Sequence, residues 1–124
     1  MRNSHLIFFT LLFILPAWCI GQSAGIDEAL KKGDAKALGI YFSTSVDLSI
    51  PGQEQTLSAD KAVISLTEFF KQQLVKGYQK VHTSAPQQGR SNFTIGDLST
   101  GHGTYRVTLF FDQQQKITEL EIRK

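Results

Sequence analysis

Beyond its first twenty-one residues the chain has neither cysteine nor tryptophan, because the single Cys19 and the single Trp18 both precede Gly21. A disulfide framework and a thiol nucleophile are therefore excluded from the body of the protein. Histidine is almost as scarce: past His5 only His82 and His102 remain, far apart and with no His or Cys at ligand spacing to either. A zinc site wants three or four such ligands, so neither a metal nor any other cofactor is expected. Charge of one sign is also missing. The 13 Lys and Arg stand against 11 Asp and Glu, and Arg2 lies in the leader, which leaves a near-neutral body. Nucleic-acid binding depends on clustered cations that neutralise phosphates, and the lysines here are scattered, so no nucleic-acid partner is expected. There are 3 prolines and no long apolar run outside the leader, so neither a collagen-like nor a polytopic membrane chain fits.

What is present divides the 124 residues in two. Met1 to His5 is a short, weakly basic start, Leu6 to Leu15 is apolar except for Thr10, and Pro16 ends the run. This is the layout of a secretory signal peptide, too short for a comfortable membrane span. Cys19-Ile20-Gly21 places small residues where signal peptidase wants them, which predicts Gln22 as the new N-terminus and an exported, periplasmic or secreted product with no membrane attachment after cleavage. A lipidated Cys19 would need a small residue before it, and Trp18 holds that place. Residues 22–124 are the length of one domain, and a domain of roughly this size buries about 60 per cent or more of the surface its unfolded chain exposes.

The apolar pattern gives that domain its elements. From Ala24 to Phe42 the spacing predicts two short helices, with Ile26, Ala29 and Leu30 on one face and Asp27 and Glu28 in the first turn. Gly33 is the stop between them and Asp34 the cap of the second, which carries Ala37, Leu38 and Tyr41. Val46 to Ile50 alternates as a half-buried strand, Pro51-Gly52 turns, and Gln53 to Leu57 returns. Ser58 then caps a long amphipathic helix whose apolar positions run from Ala59 through Val63, Leu66, Phe69 and Phe70 to Leu74, with Gly77 closing it. The remainder reads as four strands: Tyr78 to Ser84, a turn at 86–89, Asn92 to Ser99 with Phe93 and Ile95 on one face, Tyr105 to Phe111, and Lys116 to Ile122. In the last strand Ile117 is out of phase with Leu120 and Ile122, which predicts a bulge at Thr118 or Glu119. The fold class is α+β in one compact domain.

That element order, with Gly33-Asp34-Ala35, Tyr41-Phe42, Val46-Asp47-Leu48, Phe93-Thr94-Ile95-Gly96, Tyr105-Arg106-Val107 and the Ile117 to Ile122 segment, resembles the NTF2-like (cystatin-like cone) superfamily. Within it the chain resembles the exported, uncharacterised DUF4783 family typical of Bacteroidetes. The resemblance implies N-terminal helices and one long helix packed on a curved antiparallel sheet. Its motifs are packing motifs and transfer no catalytic residue.

Enzymes of that superfamily put an acid, Tyr or His at the mouth of the cone, which makes Tyr41, Asp47, His82, Asp97, Tyr105 and Arg106 the residues to inspect. A ketosteroid-isomerase-like isomerase or hydratase would pair Asp97 with the hydroxyl of Tyr41 or Tyr105. Asp47, however, alternates out of phase with Val46, Leu48 and Ile50 and so faces solvent, and His102 lies between two turn glycines. Gly101-His102-Gly103 lacks the residues of a phosphate loop. Gln79-Lys80-Val81-His82-Thr83 approaches the Gln-x-Val-x-Gly pattern of cystatin inhibitors but has Thr83 in place of the glycine. Asn92-Phe93-Thr94 is a glycosylation sequon without meaning in a bacterial host. Adjacent Phe110 and Phe111 face opposite sides of the sheet, one available to a partner such as a second copy. The leading expectation is thus non-enzymatic: a module that binds a small apolar ligand or a protein segment in a pocket of Tyr41, Phe70, Phe93, Asp97 and Tyr105, and that forms a homodimer through the outer sheet face.

Overall fold

The computed structural model describes residues 21–84 and 92–124, so the leader and the turn at 86–89 lie outside the described residues. Two helices, α1 (Gly21–Lys32) and α2 (Ala35–Gly39), precede a hairpin of β1 (Phe42–Ile50) and β2 (Gln53–Ser58). The long helix α3 (Ala59–Gln73) follows, and then β3 (Val75–Thr83), β4 (Asn92–Thr100), β5 (Gly103–Phe111) and β6 (Ile117–Arg123). One curved six-stranded sheet results, in the order β2-β1-β6-β5-β4-β3. Strands β3 to β6 form an antiparallel meander, and the parallel pairing of β6 with β1 joins it to the hairpin. The helices cover the inner face, where Leu30, Leu38, Leu66, Leu98, Leu109 and Leu120 are wholly buried.

Local chemistry accounts for the joints. Gly33 takes φ 64°, its N–H donates to the Leu30 carbonyl and that of Asp34 to Ala29, which closes α1 in a Schellman motif. The Asp34 carboxylate then accepts the Ala37 N–H and starts α2. Gly52, at φ 84°, supplies the left-handed position that a Pro-Gly turn requires. Ser58 occupies the N-cap position of α3 in extended conformation, although its side chain makes no capping bond.

Three expectations need correction. Helix α1 is already formed at Gly21, ahead of Ala24, so Asp27 sits in mid-helix where it can reach the sheet. Helix α3 ends at Gln73 rather than at Gly77: Leu74 turns left-handed at φ 61° and is 60% exposed, outside the apolar face to which its spacing assigned it. The turn between β4 and β5 ends that helix, because the Gly101 N–H donates to the carbonyls of both Gln73 and Leu74. The third correction concerns β4. Phe93 and Ile95 do share a face, but the inward positions are Thr94, Gly96, Leu98 and Thr100.

Pairing with β5 fixes that phase. Tyr105, Val107, Leu109 and Phe111 all face the core, and they stand opposite Leu98, Gly96, Thr94 and Asn92. Four apolar side chains outweigh two, so the small residues of β4 take the inside. The bulge foreseen in the last strand is at Thr118: Phe110 pairs with Glu119 and Phe111 with Ile117, so Thr118 has no place in the ladder. On β3 the same device operates at Val81, between Lys80 opposite Gly96 and His82 opposite Ile95. It leaves Tyr78 and Lys80 on the inner side and puts His82 on the outer one.

Candidate functional site

The small inward residues of β4 leave space that the helices do not fill. Between α1 and the ends of β3, β4 and β5 lies a cleft of about 360 Å³. Ile26, Leu109 and Phe111 give it an apolar floor, and Thr94 forms part of its wall. Ser23, Asp27, Lys80, Thr83, Ser84 and Asn92 provide a polar rim. Ser84 closes the strand end, its N–H donating to the Phe93 carbonyl and its hydroxyl oxygen accepting the Phe93 N–H, each at 2.9 Å.

Lys80 bridges the lip. Its ammonium donates to Ser23 Oγ at 2.8 Å and lies 3.3 Å from the Asp27 carboxylate, with both charged side chains about 30% exposed (31% and 28%). A partly screened pair of this kind contributes little to stability and is available to rearrange.

Beside it Tyr78 faces inward from β3 with 7% of its surface exposed, and its ring lies over Gly96, the inward position next to Thr94. A side chain at Gly96 would collide with the phenol, which is why a strand interior tolerates glycine there. The Tyr78 hydroxyl is fully buried and has no hydrogen-bond partner among the described residues. Burial, followed by the negative charges of Asp27 and Asp97, pushes its pKa from 10.0 up to about 12.

The residues named from the sequence do not assemble into one pocket. Phe70 and Tyr105 belong to the solid part of the core under α3, joined through Phe69, which meets the Tyr105 ring edge-on at 5.5 Å. The Tyr105 hydroxyl is already committed to Gln73 Oε1 at 2.9 Å. Phe93 borders the cleft but packs on the outer face between His82 and Phe110. Asp97, also on the outer face, accepts a hydrogen bond from Arg106 Nε at 2.9 Å. Tyr41 is half-buried with its hydroxyl packed against Gly25 of α1. Neither Tyr41 nor Tyr105 therefore meets Asp97, and the acid–base pairing expected of an isomerase is not formed. Asp47 is exposed, as its phase implied, and accepts from Thr56 at 2.7 Å. His102 is an exposed turn residue whose N–H donates to Thr100 Oγ1.

Sequence reasoning missed Asp27, Lys80, Tyr78 and Thr94. One signal was available: Gly96, a glycine inside a strand, marks a close approach by some other group.

Hollows also lie elsewhere among the described residues. A groove of about 680 Å³ between α2 and α3 exposes Ile40 and Ile64. A shallow depression of about 380 Å³ on the outer face is rimmed by Asp47, Glu54, Glu119 and Glu121, and there burial, then Asp47 and Glu121, raise the Glu119 pKa. Among the described residues no three His, Cys, Asp or Glu are placed to hold a metal ion, and no described helix is long and apolar enough to cross a membrane. The cleft has an apolar floor and a polar rim, and the unpaired Tyr78 hydroxyl lies beside it over Gly96.

The family model for a domain of unknown function, DUF4783, matches residues 23–123. The chain belongs to the DUF4783 family. A crystal structure of a DUF4783 protein from Bacteroides ovatus is 31% identical, with a TM-score of 0.73 over 82% of this chain and 93% of the other. An NTF2-like protein of unknown function from Cytophaga hutchinsonii aligns at 13% identity and a TM-score of 0.57 over 81% of this chain and 83% of its own. A putative polyketide cyclase from Sinorhizobium meliloti aligns at 14% identity and a TM-score of 0.61, covering 82% and 92%. At such identities the last two establish the NTF2-like fold of this DUF4783 domain and nothing of its chemistry. The search of curated proteins found no match.

An orphaned buried hydroxyl is a cost to the DUF4783 domain as it stands. Tyr78→Phe is expected to raise stability by about 1 kcal/mol in urea unfolding near neutral pH. The folded state holds the Tyr78 proton more tightly than the unfolded chain, so the natural protein loses stability as pH rises from 10.0 through about 12. Because the variant lacks this titration, its advantage over the natural protein should widen across that window.

Proposed function

We propose that the protein is an exported, non-enzymatic binding module that holds a small, largely apolar ligand in the cleft between α1 and strands β3 to β5. The observation that carries this reading is the cleft itself, in which Ile26, Leu109 and Phe111 lie beneath a rim that includes the Lys80–Asp27 pair. An apolar floor supplies affinity in proportion to the area it removes from water, and a few polar groups at the mouth orient the guest. Export rests on the leader, with release into the periplasm or the medium after cleavage before Gln22. The isomerase alternative has no geometric support, since Asp97 is tied to Arg106 on the opposite face.

A second copy is the partner that suits the outer face. Phe93, Phe110 and Ile95 are half-buried there, with His82 and Arg106 beside them, while the β2-β1-β6 half carries Asp47, Glu54, Glu119 and Glu121. A two-fold axis lying between the two sheets and parallel to their strands brings the aromatic half of one copy against the acidic half of the other, which favours a self-complementary pair.

Octanol titrated into the protein should shift the methyl resonances of Ile26 and Leu109, and Thr94→Phe, which fills the cleft, should weaken binding at least about tenfold while the amide spectrum stays dispersed. Shifts confined to Ile40 and Ile64, or indifference to Thr94→Phe, would refute the site. For the outer face, sedimentation equilibrium should find dimers in the natural protein and monomers in Phe110→Glu. A natural protein that is monomeric at concentrations of about 100 μM would exclude a dimer of ordinary affinity.

A further inference from the structure

One buried donor beside the cleft lacks an acceptor, and that orphan narrows the class of ligand. Lys80 offers three protons, of which Ser23 Oγ takes one and the Asp27 carboxylate lies at ion-pair distance. Ser84 Oγ is engaged as an acceptor by the Phe93 N–H. The Tyr78 hydroxyl, over Gly96 at the inner end of the same wall, is a fully buried donor with no acceptor among the described residues. That hydroxyl is therefore short of one acceptor. A ligand that brings only donors, or none, leaves the deficit in place.

We propose that the cleft selects a small amphiphile bearing a carboxylate, whose headgroup takes over Lys80 while Asp27, so released, accepts the Tyr78 hydroxyl. This rests on the cleft being the binding site and goes beyond it by naming the headgroup and the exchange that admits it. Three independent features meet in it. The Lys80–Asp27 contact is long for a charge-assisted bond and partly exposed, so exchanging one carboxylate for another costs little. The Tyr78 hydroxyl lies against Gly96, the ladder partner of the same Lys80 that holds Asp27, and the Asp27 charge contributes to raising its pKa. Ile26, Leu109 and Phe111 provide a floor for an alkyl tail behind the headgroup. In the exchange Asp27 trades its counter-ion for a hydrogen bond from Tyr78 and the orphaned donor gains an acceptor, whereas a cationic headgroup would take Asp27, strip Lys80 of its counter-ion and leave Tyr78 as it was. A neutral alcohol gains the floor alone.

Calorimetric titration with octanoate, 1-octanol and octylamine, on the natural protein and on Tyr78→Phe and Lys80→Met, separates these cases. Octanoate is expected to bind about tenfold tighter than octanol, and octylamine more weakly than either. Lys80→Met should abolish the preference for octanoate over octanol, and Tyr78→Phe should cut it roughly three- to tenfold. In the natural protein the Tyr78 Cζ resonance should move with octanoate but not with octanol. Equal affinities for octanoate and octanol, a preference for octylamine, or an octanoate preference that Tyr78→Phe leaves intact would overturn the carboxylate proposal while the cleft remains a binding site. If none of the three probes binds, the cleft reading fails and this proposal fails with it.

Discussion

The register of β4 against β5 is the constraint from which the rest follows. Val107 and Leu109 are completely buried and Tyr105 nearly so, and each such side chain stabilises the fold by roughly 2 kcal/mol. A slip of one residue would turn all of them outward and bring Arg106 and Thr108 in. With that phase held, the inward row of β4 includes Thr94, Gly96 and Leu98, whatever Phe93 and Ile95 would gain inside. Small side chains at two of those three positions leave a hollow, and the fold handles its two parts differently. Over Gly96 the ring of Tyr78 fills it at the expense of an unpaired hydroxyl. Beyond Thr94 the space remains open as the cleft.

The opposite end of the domain shows that this openness is local. Under α3, Phe69, Phe70, Leu66 and Tyr105 close the core, and Tyr105 finds Gln73 for its hydroxyl. The β4–β5 turn pins the helix terminus through Gly101, so helix and sheet hold one another at a fixed distance. Helix α1 meets β3 at its polar edge through the Lys80 contacts to Ser23 and Asp27. The inner face of that helix is nonetheless anchored, because Ile26, Ala29 and Leu30 are buried in the core.

Elements whose residues agree with one another along the chain were legible in the sequence. The alternation of Tyr105, Val107, Leu109 and Phe111, the stop at Gly33 with the cap at Asp34, and the phase break at Ile117 each read correctly because the deciding interaction is local. Where tertiary partners decide, local reading failed. Leu74 fits the helical stripe, but a turn twenty-seven residues later ends the helix before it. Phe93 and Ile95 are good core residues, but β5 outweighs them. The site suffered most, because Asp27 and Lys80 are joined only by the fold and because the bulge at Val81 makes the inward phase of β3 unreadable without its partner strand. Aromatic content pointed toward a cavity, yet aromatic rings fill space, and the cleft formed where the chain is small.

The central claim, that the hollow left by β4 is the binding site and that its spare donor is met on binding, is tested most directly by a crystal structure of the protein grown with octanoate. The account predicts an alkyl chain over Ile26, Leu109 and Phe111, its carboxylate on Lys80, and Asp27 turned to the Tyr78 hydroxyl. Octanoate in the groove between α2 and α3 with the cleft unchanged, or octanoate in the cleft with its carboxylate away from Lys80 and Asp27 still paired there, would contradict it.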